Sequence, residues 1–145
     1  MFVTGKVILE QNQMTNGIVC VTDFSEPSIK TVKWAIELAK KLGSHLTILY
    51  AYRLLRQDGE AIALKREMET EALKSFADME SQLQIGSKIK YAFKIEVGFF
   101  DDRIAEHLKE NKLGFLVVGK GLSIRNKESF DDLVKQLQVP LVIVP

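Results

Sequence analysis

The run Gly17-Ile18-Val19-Cys20-Val21-Thr22-Asp23-Phe24-Ser25-Glu26-Pro27-Ser28 decides the fold. Four apolar residues, Ile18 to Val21, give way to a short polar turn and then to an amphipathic repeat, which is the signature of a strand feeding a helix. Ser25 is a natural N-cap, because its hydroxyl can accept from an orphan amide of the first turn. Pro27 fits that turn because its missing N–H and fixed φ cost nothing there. The helix is expected to begin at about Ser25. Asp23 then stands at the carboxyl end of a strand, where open parallel sheets bind their ligands; an Asx-type cap on the following turn is the structural alternative.

Outward from this run the pattern repeats. Ile29, Val32, Ala35, Ile36, Ala39 and Leu42 recur at helical spacing, with Lys40 and Lys41 in the last turn and Gly43 as cap. Leu46 to Tyr52 is a nearly continuous apolar strand, as expected where helices cover both faces of a sheet. A polar loop from Arg53 to Gly59 leads to a long helix, about Glu60 to Ile85, closed by Gly86. Its stripe of Leu64, Met68, Ala72, Phe76, Met79 and Leu83 reads as a face laid on the chain's own sheet; a partner-binding helix would show the same stripe.

Tyr91, Phe93, Ile95 and Val97 alternate with Lys90, Ala92, Lys94 and Glu96, the pattern of a half-exposed edge strand ending at Gly98. A helix over about Asp101 to Asn111 follows, then a buried strand, Leu116 to Val118, stopping at Gly119. Gly119 to Lys127 reads as a loop before a last helix, about Glu128 to Gln138, and a closing strand, Leu141 to Val144. Strands alternating with helices imply a doubly wound, Rossmann-like α/β fold: a five-stranded parallel sheet with helices on both faces. With strand order 3-2-1-4-5 the apolar last strand lies at an edge. A homodimer would cover it, and so would the N-terminal extension, residues 1–16.

Composition narrows the function classes. The chain has 145 residues, suited to one domain, and 20 basic against 19 acidic side chains, so no global field draws it to nucleic acid or an anionic membrane. No apolar run approaches the roughly 20 residues of a membrane span. The single cysteine, Cys20, lies inside the first strand and reads as packing, and with no secretory leader a reducing cytoplasm is the expected compartment. His45 and His107 have no second histidine or cysteine at metal-ligand spacing. Asp101-Asp102 and Asp131-Asp132 sit in first turns of predicted helices, where acid is favoured electrostatically; a catalytic carboxylate pair is the sharper alternative. There is no nucleophile elbow, Walker loop or dinucleotide fingerprint, so nothing in the residues names an enzyme or a catalytic group.

Ile18 to Ser28, then Trp34-Ala-Ile-Glu-Leu-Ala-Lys-Lys-Leu-Gly43 and Leu46-Thr-Ile-Leu49, resemble the opening of a universal stress protein. Val117-Val118-Gly119 and Val139 to Val144 resemble its last two strands, and the likeness runs over residues 17–145. The resemblance implies a nucleotide-binding α/β domain, usually a homodimer joined through the last strand, with one branch binding ATP and another not. In the ATP-binding branch the acidic residue at the end of the first strand approaches the nucleotide, a position held here by Asp23. That branch also carries paired glycines after the fourth strand, then Gly-Ser/Thr, where a backbone nest and a helix N-terminus cradle phosphates.

This chain departs from that pattern. Gly119 matches the first glycine, but the next is Gly121, one residue early, and Lys127-Glu128 stand where Gly-Ser is expected. Glu128 would repel phosphate, although Lys120, Arg125 and Lys127 offer cationic donors. The expectation is therefore a non-catalytic stress-response protein of the branch without the glycine motif, with no bound cofactor. An unknown protein partner fits that reading. The alternative is an ATP- or AMP-binding sensor, with weak ATPase activity at most, using Asp23, Gly119 and Gly121.

Overall fold

The computed structural model describes residues 17–54, 59–110, 114–125 and 127–145. The N-terminal extension and the middle of the loop after Arg53 lie outside them. Strand β1 (Ile18–Val21) leads to helix α1 (Glu26–Leu42), β2 (Leu46–Tyr52) and α2 (Ala61–Leu83). Strand β3 (Tyr91–Val97), α3 (Phe100–Lys109), β4 (Phe115–Gly119), a short α4 (Lys120–Arg125), α5 (Lys127–Gln136) and β5 (Leu141–Val144) complete the chain. The five strands form one parallel sheet, as the alternation of elements implies, and their order is the expected β3-β2-β1-β4-β5.

The sheet carries a core on each face, because successive strand residues point to opposite sides. Ile18 and Cys20 join α1 and α2 residues on one face, while Val19 and Val21 join Phe100 and Ile104 of α3 and Phe130 and Leu133 of α5 on the other. All four β1 residues are buried, which is why the strand has no polar alternation. Each such side chain contributes about 1.5–3 kcal/mol relative to exposure.

Four details differ from the sequence reading. Helix α2 ends at Leu83, and Gln84, not Gly86, takes the left-handed cap conformation, φ 52°. The cause is Ile85, fully buried, which turns the chain inward through the 3-10 turn Ile85–Ser87 before Gly86 can act as a stop. In β3 the first three residues are all buried, Lys94, Ile95 and Glu96 are half-buried and Val97 is exposed, so burial falls off along the strand in place of the expected alternation. Helix α3 starts at Phe100 and α5 ends at Gln136, each within two residues of expectation. Finally, the segment after Gly119 is helical, not a loop, because Leu122 packs against the core on the α3–α5 face.

A crevice at the carboxyl ends of β1 and β4

The turn from β1 into α1 is held by a network of hydroxyls. The Ser28 N–H donates to Ser25 Oγ at 3.4 Å, a long cap bond, and the Ile29 N–H closes the first helical turn on Ser25 O at 2.9 Å. Ser28 Oγ donates to Ser25 O (3.1 Å) and accepts the Asp23 N–H (3.3 Å). With its proton so committed, Ser28 accepts from the Thr22 hydroxyl, 2.8 Å away. Thr22 Oγ1 in turn accepts the Phe24 N–H at 3.0 Å.

Asp23 serves this turn. Its Oδ1 accepts the Ser25 N–H at 3.0 Å and the Ser25 hydroxyl at 2.6 Å, an Asx-type arrangement. The network holds Phe24 at φ 63°, a left-handed conformation that costs a side chain about 1–2 kcal/mol. The Phe24 ring is thereby laid across Tyr50 and Phe93, with centroids 5.2 and 5.8 Å away. Tyr50 reports the nearby carboxylate: burial, and after it the negative charge of Asp23, raises its phenol above the ordinary value.

Asp23, Gly119 and Gly121, singled out from the sequence, line one cavity together with Ser28, Thr31 and Leu122. Its volume is about 40 Å³. That is room for a few water molecules, against the roughly 300 Å³ or more of pockets that enclose small-molecule ligands. Thr31 explains Gly119: a Cβ there would lie 2.7 Å from Thr31 Oγ1, which is fixed by donation to Pro27 O at 3.0 Å. Gly121 lies within α4. Lys120 also lines the cavity, whereas Lys127 pairs with Asp131 at 3.2 Å, and Glu128 occupies the first turn of α5. The side chain of Arg125 is outside what is described.

Sequence reasoning missed Thr22, Ser28 and Thr31, all at least nine-tenths buried. The signal was present as hydroxyls three apart, Thr22, Ser25 and Ser28, across a strand end and a helix start.

The remaining candidates resolve into structural parts. Cys20 is fully buried, and burial pushes its thiol up to about 12. Asp101 and Asp102 sit in the first turn of α3. His107 is buried and donates from Nε2 to Glu96 Oε2 at 3.3 Å. Among the described residues there is no cluster of three or more histidine, cysteine or acidic side chains that could hold a metal ion. No helix among them is long and apolar enough to cross a membrane.

The profile of the universal stress protein family matches residues 14–145. Among solved structures, a universal stress protein in complex with cAMP superposes with TM-score 0.70 at 21% identity, covering 90% of this chain and 97% of that one. The universal stress protein UspA from Lactobacillus plantarum gives TM-score 0.69 at 13% identity over 90% and 98% of the two chains. The universal stress protein from Archaeoglobus fulgidus in complex with dAMP gives 0.63 at 18% identity over 89% and 97%. No curated protein matches in sequence.

Proposed function

The chain belongs to the universal stress protein family, and from that premise we propose that it is a cytoplasmic, non-catalytic stress-response protein that acts by binding, as a homodimer joined through β5. On this reading its crevice does not hold ATP by the usual glycine motif. The observation that carries the reading is the small size of the crevice: α4 begins directly after Gly119 where an open phosphate loop would be needed, and the space among the described residues is about 40 Å³. Two further features point the same way. Asp23 Oδ1 is engaged by Ser25, and Glu128 puts a negative charge in the first turn of the next helix.

The homodimer is supported by the edge position of β5, which pairs with no further strand among the described residues and where Leu141 and Val142 are half-buried and Ile143 is exposed. The buried thiol of Cys20, with no second cysteine to pair, suits a reducing compartment. The regulated protein would then be a separate partner, held without chemistry.

A second reading, a sensor of adenine nucleotides, draws on two observations. Structural neighbours were solved with cAMP and with dAMP, and Asp23, Gly119 and Gly121 converge on one cavity. Calorimetric titration with ATP and Mg²⁺, and separately with AMP, decides between them. No heat up to millimolar nucleotide is the expected result. Micromolar binding that disappears in Asp23→Ala would overturn the first reading in favour of the second.

A further inference from the structure

Helix α1 turns an apolar row toward solvent. Trp34 is 43% exposed and Leu42 50%, with half-buried Leu38 between them. Spaced i, i+4 and i+8, the three lie one above another over about 12 Å of helix. At 100° per residue, exposed Lys30 and Lys41 fall on one side of this row, within about 40° of Trp34, and exposed Lys33 lies further round the same flank. None of these three lysines has an ion pair among the described residues, whereas Lys40 approaches Glu37 at 3.9 Å. The helix holds four lysines against two glutamates, more positive charge than the whole chain, whose net is +1.

An aromatic anchor, an apolar row and uncompensated lysines along one flank select among occupants by charge. A second copy of this chain, meeting the face with itself, would set lysines against lysines. Recognition of an anionic lipid surface uses clusters of about 4–8 basic side chains, more than the three unpaired ones here. An amphipathic helix fits both features: its own apolar residues at helical spacing lie along Trp34, Leu38 and Leu42, and acidic residues on its outer flank meet Lys30, Lys33 and Lys41.

We infer that this face of α1 docks an acidic amphipathic helix of another protein, the separate partner of the proposed function. The inference rests on that binding role and gives the partner its chemistry. Trp34 is the anchor, since large aromatic side chains carry a disproportionate share of interface energy. The lysines set the polarity of the partner and speed its encounter, so binding weakens as salt rises.

The test uses the full chain and a synthetic helix of about 18 residues with leucine at i, i+4, i+7 and i+11, glutamate on both flanks and no aromatic residue. Trp34 is the only tryptophan, so its emission reads this face alone. The expected result is a saturable blue shift with the acidic peptide, diminished by salt, and none with the same peptide carrying lysine for glutamate. Leu42→Asn should weaken binding at least about tenfold. Lys30→Glu combined with Lys41→Glu should abolish binding of the acidic peptide and create binding of the lysine peptide, a gain that a misfolded variant cannot give. No shift with the acidic peptide up to millimolar concentration, equal shifts with both peptides, or a shift only with phosphatidylserine vesicles would overturn the inference. The nucleotide titration is independent of this result: ATP binding beside peptide binding would overturn the reading of the crevice and leave this surface standing.

Discussion

At Gly119 a single methyl group is too much. The Thr31 hydroxyl that it would strike belongs to a β-branched side chain with restricted rotamers, and its bond to Pro27 O removes the remaining freedom. Gly119→Ala should therefore destabilise the protein by about 1–3 kcal/mol, the usual range for overpacking. Thr31→Ala combined with Gly119→Ala should recover most of that loss, a non-additivity that urea denaturation of the four proteins would measure. Additive losses would mean that the glycine is needed for something other than its contact with α1. The sequence shows a glycine at the end of a strand but not this reason for it, since Thr31 and Gly119 are distant in the chain and meet only through the packing of α1 on β4. Asp23 was more legible. A carboxylate two residues before a serine N-cap is a local pattern, and the turn it forms is made of neighbours in sequence.

Among the elements, α3 is tied to the sheet edge by the contact of buried His107 with half-buried Glu96. Burial alone would raise the Glu96 carboxyl, but the hydrogen bond and charge of His107, with Lys94 and Arg103, outweigh it and hold the group below its ordinary value of 4.5. A carboxyl lowered in the folded state contributes stability above its ordinary value, and that contribution is lost as pH falls through the folded value. Urea midpoints measured from pH 6 downwards should thus fall more steeply for the native chain than for Glu96→Gln once the pH is below 4.5. Parallel curves would show that the contact contributes nothing to the acid limb. Element boundaries were legible where caps are local, as at Ser25 and Gly43. They were not where a distant core decides. Lys120 to Arg125 follows Gly119 directly, has Gly121 as its second residue and reads as a loop, and becomes a helix because Leu122 packs on the core cluster of that face.

For the whole molecule, Cys20 is a built-in reporter. It sits on the central strand, fully buried, with a thiol pushed up to about 12, so at pH 8 only about one in ten thousand is thiolate even before access is counted. A chromogenic disulfide reagent should leave the native protein unmodified, and the modification rate in rising urea should track global unfolding. Rapid reaction in buffer would reveal a local opening of β1. The parallel sheet was readable from the alternation of elements, right-handed crossovers limited its strand order without fixing it, and the apolar run of β1 marked that strand as interior. That order also governs how the chain comes off a ribosome. Strand β1 is made first, yet it lies between β2 and β4, pairing Cys20 with Ile48 on one side and Val117 on the other. The half from β1 to β3 can assemble as soon as it emerges, but one flank of its central strand stays bare until Phe115–Gly119 is synthesised. During that interval the nascent protein exposes an apolar, hydrogen-bond-hungry margin, and this is the stage at which a holding chaperone would have most to protect.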